Sequence, residues 1–180
     1  MVELYTDRLV IRTIKKEDWA NVFAINSDPS VLKYIREFTS EEDIKTTFEQ
    51  RLLPWDFQSG KWLTLVIETV DTHEFVGLTG FIRDCEIMNR AEVGYLITPS
   101  KQGFGYGTES LKAVIDWGIF QFNIEKFIGH CAVKNNASAQ VMKKCGFIEE
   151  GLLRENHRIG DVKIDEHVFG LLQSDIRSLA

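Results

Sequence analysis

The segment Lys101-Gln102-Gly103-Phe104-Gly105-Tyr106-Gly107-Thr108 is where residue types and spacing point most directly to chemistry. Its glycines alternate, which lets the chain turn tightly and bring backbone N–H groups close to a ligand. Just downstream, Leu111, Val114, Ile115, Gly118, Ile119 and Phe122 recur with helical period, so the loop opens onto a helix N-terminus. Free donors and a positive dipole end suit an anion such as a pyrophosphate, and Thr108 adds a hydroxyl in the first turn. A P-loop would place a lysine after its last glycine, and none is there. A dinucleotide fingerprint would read Gly-x-Gly-x-x-Gly, whereas the spacing here is Gly-x-Gly-x-Gly. The competing reading is a glycine cluster that merely turns the chain.

Composition removes several other chemistries. The 180 residues carry a formal net charge of −6, with a pI near 5.3. That argues against a nucleic-acid partner, which calls for a basic stripe, and favours cationic substrates. Cys85, Cys131 and Cys145 have neither CxxC nor ligand spacing and read as small buried apolar residues in a reducing compartment. No His/Cys/Asp/Glu group is spaced to hold a metal, and no Gly-x-Ser-x-Gly elbow is present. No apolar run approaches the roughly 18 residues of a membrane span, so no membrane partner is expected. The stretch Met1 to Arg8 lacks the pattern of a signal peptide, so the expected location is cytoplasmic.

The elements that must position the loop follow from periodicity. Leu9–Ile14 reads as a first strand, followed by a helix carrying Trp19, Val22, Phe23 and Asn26 that stops at Asp28-Pro29. Ser40-Glu41-Glu42-Asp43 opens a second helix with a capping serine and acids at its positive end. Trp62–Ile67, Phe75–Ile82 and Ala91–Ile97 are three further strands. The polar turn Asp71-Thr72-His73-Glu74 pairs the first two as a hairpin. After the long helix come a strand near Phe127–Val133, a short helix from Asn136 to Lys144 ended by Gly146, and strands near Phe147–Arg154 and Asp165–Leu172. The order β-α-α-β-β-β-α-β-α-β-β predicts a single α/β (α+β) domain over residues 1–180, with helices covering a sheet of mixed direction.

With its neighbours, the glycine loop resembles the acyl-CoA pyrophosphate loop of the GCN5-related N-acetyltransferase (GNAT) superfamily. The resemblance is carried by Gln102-x-x-Gly105-x-Gly107, by the strand Arg90 to Pro99 before it, and by Asn135-Asn136-Ala137-Ser138 with Lys144-Cys145-Gly146-Phe147 after it. Thr6-Asp7-Arg8-Leu9-Val10-Ile11-Arg12 and Phe75-Val76-Gly77 are similar to the branch that acetylates N-termini of ribosomal proteins. The resemblance implies a mixed, mostly antiparallel sheet of about seven strands, splayed in the middle and flanked by about four helices. It also implies acetyl-CoA as co-substrate and direct attack of a primary amine on the thioester.

On that basis Gln102, Gly103, Phe104, Gly105, Tyr106, Gly107 and Thr108 would bind the pyrophosphate. Backbone groups of Tyr95, Leu96 and Ile97, with Asn135, would bind the pantetheine arm. Ser138 would lie near the sulfur as acid or hydrogen-bond donor, against the alternative that it caps its own helix. The base is His157, with Glu155 as substitute if the segment is extended, or Glu92 on the strand facing the cleft. His73 and His130 carry no signal, and His167 could simply pack. The segment from Asn26 to Trp55 should cover the acceptor side, where Tyr34, Phe38, Phe48 and Trp55 either sandwich a small amine or pack. The resemblance implies the N-terminal amine of a (ribosomal) protein as the acceptor, and the alternative is a small amine such as a polyamine, amino sugar or amino acid. A non-catalytic acyl-CoA-binding module is a third reading, and C-terminal edge strands allow a homodimer.

Overall fold

A computed structural model describes residues 2–177; Met1 and residues 178–180, the two ends of the expected 1–180 domain, lie outside it. The strands are β1 (Glu3–Tyr5), β2 (Leu9–Thr13), β3 (Leu65–Thr69), β4 (Phe75–Cys85), β5 (Arg90–Ile97), β6 (Lys126–Ala132), β7 (Ile148–Ile159) and β8 (Val162–Leu172). The helices are α1 (Trp19–Ser27), α2 (Pro29–Leu32), α3 (Glu41–Arg51), α4 (Tyr106–Phe122), α5 (Asn136–Lys144) and α6 (Gln173–Arg177). The 8 strands form one sheet in the order β1-β2-β3-β4-β5-β6-β8-β7.

The sheet therefore has one strand more than expected, and there are six helices rather than about four among the described residues. The additions are short. The 3-residue β1 offers no period to read, and α2 is a single turn capped by Asp28, whose Oδ1 accepts the Ser30 N–H at 2.8 Å. Ser40 caps α3 as its sequence suggested, accepting the Asp43 N–H at 3.1 Å. Asn136–Lys144 forms α5 as expected, and Gly146 takes φ +92° just beyond it. β3 starts at Leu65 rather than Trp62, and the Trp62 ring lies against Gly94 of β5.

Every neighbouring pair is antiparallel except β5 with β6. That parallel pair is brief, running only from Arg90↔Lys126 to Glu92↔Ile128. Beyond Glu92, β5 keeps β4 on one side, as far as Ile97↔Gly77, and has lost β6 on the other. The sheet is thus split where the sequence reading placed a splay, and the open edge needs hydrogen-bonding partners.

Alternation along the strands sends residues to two layers. On one face Ala91, Val93, Phe127, Cys131, Phe169 and Leu171 pack with Leu111, Val114 and Ile115 of α4 and Met142 of α5. On the other, Val66, Leu78 and Leu96 pack with Val22 and Ile25 of α1 and Phe48 of α3. Arg12 fixes α1 to the sheet. Its guanidinium donates to both oxygens of buried Asp18 at 2.8 and 2.9 Å and pairs with Glu68 on β3.

Candidate functional site

A cleft of about 820 Å³ runs through the split, lined by residues of both layers. Its cofactor-like end is the loop after β5. Gly103 and Gly105 have φ +83° and +84°, a conformation that side chains resist, and Gly105 is the residue preceding α4. Among the described residues no hydrogen bond engages the N–H groups from Gly103 to Thr108, so a row of donors is free for an anion. The cradle fits a pyrophosphate.

One feature opposes an anion there, and the chain neutralises it. Glu109 sits in the first turn of α4. Arg8 holds its Oε2 from Nε at 2.8 Å and from Nη2 at 2.6 Å, while Thr6 Oγ1 donates to its Oε1 at 2.6 Å. The same Arg8 donates from Nη1 to the Phe104 carbonyl at 3.0 Å and lies 4.8 Å from the Tyr106 ring centre. Burial pushes the Glu109 carboxyl up, but these hydrogen bonds and the Arg8 charge more than offset it, leaving it below its ordinary value. Arg8 therefore both fixes the loop and cancels the nearest negative charge.

The loop residues singled out from sequence fall into two groups. Gln102, Gly103, Gly105, Tyr106, Gly107 and Thr108 line the cleft, with Tyr95, Leu96 and Ile97. Phe104 does not; its ring is exposed and stacks on Tyr106 at 5.9 Å, leaving only its backbone to serve the loop. Gln102 turns its side chain back, donating to the Ile97 carbonyl at 3.0 Å, and so braces the loop.

At α5 the capping considered for Ser138 falls to Asn135 instead. Asn135 is the cap, its Oδ1 accepting the Ser138 N–H at 3.2 Å. Ser138 does not cap; its Oγ is 2.8 Å from the Tyr95 hydroxyl, which also donates to the Ser138 carbonyl at 3.0 Å. Burial pushes the Tyr95 phenol well above its ordinary value, only partly opposed by the Ser138 hydrogen bond. Tyr95 is therefore a neutral hydroxyl at the split. Its side chain was missed because only its backbone was expected to act. Cys131 and Cys145 are pushed by burial to about 11 and about 12, so both stay thiols and neither is a nucleophile.

The base candidates also separate. Glu92 lines the cleft on the α1–α3 face, opposite in the strand's alternation to Tyr95. Burial raises its carboxyl; His130 opposes the shift, and Asp84 and Glu166 add to it. His130 and Glu166 line the same cleft, although nothing in the sequence pattern marked either. β6 and β8 bring them beside Glu92 through the pairing Ala132↔Glu166, which only the sheet order reveals. His157 also lines the cleft, but its Nε2 is engaged at 2.6 Å with the carbonyl of Ile35. Glu155 is excluded. A register shift between Leu153 and His157 makes the segment bulge rather than extend, Glu155 takes φ +50°, and its carboxylate pairs with Lys163 away from the cleft.

Of the aromatics expected near the acceptor, Tyr34 and Phe48 line the cleft. Trp55 instead packs on Phe57, Phe81 and Phe122 in the α4 layer, and Phe38 is exposed outside the cleft. Arg36 and Arg51 line the acceptor half unannounced by any motif. His167 lies outside the cleft, against Glu149 and Phe169. Among the described residues no cluster of three or more His, Cys, Asp or Glu could hold a metal ion, and no helix is long and apolar enough to cross a membrane.

A family model described as an acetyltransferase (GNAT) domain matches residues 8–148. An uncharacterised N-acetyltransferase, p20 of Bacillus licheniformis, is 29% identical over 97% of this chain and 98% of its own. The ribosomal-protein-serine acetyltransferase of Escherichia coli is 28% identical over 72% of this chain and 70% of its own. Among solved structures, spermidine N-acetyltransferase of Vibrio cholerae, in complex with CoA and spermine, superposes with a TM-score of 0.82. It is 23% identical and covers 94% of this chain and 98% of that one.

Proposed function

The chain belongs to the GNAT acetyltransferase family, and from that premise we propose that it acetylates the primary amine of a small molecule held on the α1–α3 face of the split sheet. It is an N-acetyltransferase with acetyl-CoA as co-substrate. The observation that carries the finer reading is the placing of Glu92 and of the Tyr95–Ser138 pair on opposite faces of β5, where that strand parts from β6.

Bound acetyl-CoA supplies a thioester carbonyl and a thiolate leaving group. The N–H groups of Gly103 to Thr108 hold the pyrophosphate, and the open edge of β5 at Tyr95–Ile97 pairs with the pantetheine arm. A backbone N–H of that edge also stabilises the oxyanion of the tetrahedral adduct. On the acceptor face Glu92, directly or through a water, takes the ammonium proton, so that a neutral amine nitrogen can form the new C–N bond. As the C–S bond breaks, the Tyr95–Ser138 hydroxyl pair hydrogen-bonds the departing thiolate, which takes up the proton that the nitrogen sheds on becoming an amide. Glu92 serves better than His157 because its burial brings a carboxylate nearer the working pH, while His157 is committed to Ile35. His157 is a positioning residue, tying the β7–β8 hairpin to the chain between α2 and α3.

That tie links the β7–β8 hairpin to the segment between α2 and α3 across the α1–α3 side of the cleft. On this we base the preference for a small molecule over a polypeptide. The second reading is a protein N-terminus. It is supported by Thr6–Arg12, by Phe75–Gly77 and by the similarity to the Escherichia coli ribosomal-protein enzyme. The described part acts as one catalytic domain, and its unpaired Cys85, Cys131 and Cys145 accord with the cytoplasm. Free-thiol release from acetyl-CoA against small amines and N-terminal peptides separates the readings. Turnover of small amines alone is expected; turnover of peptides alone would move the assignment to the second reading. Tight acetyl-CoA binding without thiol release from any amine would leave a binding module.

A further inference from the structure

We infer that the acceptor amine also bears an anionic group, a carboxylate or a phosphate, and that Arg36 and Arg51 receive it. The inference rests on the acetyl-transfer reading and names the substrate class for the same cleft.

Both arginines line the acceptor half of the cleft and are partly buried, yet neither has a carboxylate partner among the described residues. Arg12, Arg83 and Arg90, also partly buried, each hold one. Arg36 donates from Nη2 to Asn26 Oδ1 at 2.7 Å, and its Nε is buried with no partner. Arg51, the last residue of α3, donates from Nη1 to Thr64 Oγ1. These neutral contacts orient the guanidinium groups and leave most of their donors free. Burial lowers both from their ordinary value, and the positive charge of Arg36 lowers Arg51 further. Both line one cleft with like charges and no counter-ion among the described residues, an arrangement that a bound anion relieves.

Asp43, Glu92 and Glu166 also line the cleft, yet none of the three pairs with either arginine among the described residues. Asp43 accepts from the Ser40 hydroxyl at 2.6 Å, and Glu166 accepts from Asn156 Nδ2 at 2.7 Å. The cofactor's pyrophosphate does not explain the pair either, since its cradle heads α4 on the opposite layer. A polyamine, all cation, would meet two unpaired guanidinium groups.

The test compares kcat/KM for matched acceptors: amino acids against their amides, and aminoethyl phosphate and glucosamine 6-phosphate against ethanolamine and glucosamine. The charged member of the pair that carries the right anion should be preferred roughly 10- to 100-fold, the range expected for charge-assisted hydrogen bonds. Arg36→Met and Arg51→Met should each collapse that ratio toward one, and Arg51→Lys should restore part of it. The ratio is internal to each protein, so partial unfolding leaves it unmoved. A wild-type ratio near one, or a ratio that both variants keep, overturns the inference. If no amine is turned over, the acetyl-transfer reading fails by itself, and inorganic phosphate titrated into the CoA-saturated protein decides the arginine site. Phosphate binding that is lost in the double Met variant supports it, and no phosphate binding overturns it.

Discussion

The Tyr95 hydroxyl stands 2.8 Å from Ser138 Oγ, joining β5 to the first turn of α5 across the mouth of the split. Tyr95 is held neutral by burial, and Ser138 is aimed by a helix that Asn135 caps. Replacing either removes one hydroxyl of a shared donor. Tyr95→Phe and Ser138→Ala should each lower kcat by about 10- to 100-fold, and the double variant by less than the product. Steady-state kinetics of all three check this; multiplicative losses would show that the two act independently.

Glu92 should govern the acid side of the pH profile. Because burial raises its carboxyl, kcat/KM should climb through a pKa above the ordinary glutamate range. Glu92→Gln should flatten that limb and cost about 10²- to 10⁴-fold. Stability has the opposite sign. The folded protein keeps this proton to a higher pH than the unfolded chain does. The group's favourable contribution is therefore full below the unfolded pKa and lost as pH rises through the folded one. Denaturant titrations across that window should show the fall in the wild type and a smaller fall in Glu92→Gln.

Arg8 is expected to act on acetyl-CoA through Glu109. Arg8→Gln frees a carboxylate at the anion cradle, and KM for acetyl-CoA should rise about 3- to 10-fold, the scale of a partly exposed charge pair. Adding Glu109→Gln should recover most of the loss. If the double variant is as poor as the single one, Arg8 acts through the Phe104 carbonyl and the Tyr106 ring instead.

Gly105 shares with Gly103 the left-handed backbone conformation of the loop. At φ +84° an alanine costs about 1–2 kcal/mol, so Gly105→Ala should lower unfolding stability by that amount and also weaken acetyl-CoA binding. Chemical denaturation and calorimetric titration read the two effects separately.

The cofactor half of the site was legible because it is local. Glycines, a helix N-terminus and the α5 motif lie in contiguous stretches whose period and caps can be read directly, and the long period of α4 fixes where the loop must point. The acceptor half is assembled from distant strands and helices. Glu92, His130 and Glu166 meet only because β6 lies between β5 and β8. Arg36, just after α2, and Arg51, at the end of α3, line one cleft only through the tertiary fold. Glu155 misled for a related reason: a bulge in β7 breaks the alternation that placed it beside His157. The short β1 and α2 escaped because so few residues carry no periodic signal.

Amine-dependent release of free thiol from acetyl-CoA, with the acceptor weighed by mass spectrometry, tests the central claim most directly. The account predicts one acetyl group on the acceptor's amine for each thiol released, with both signals falling together in Glu92→Gln. Thiol release that does not depend on the amine, or an acetyl group left on the protein instead of the acceptor, would contradict direct transfer at the split between β5 and β6.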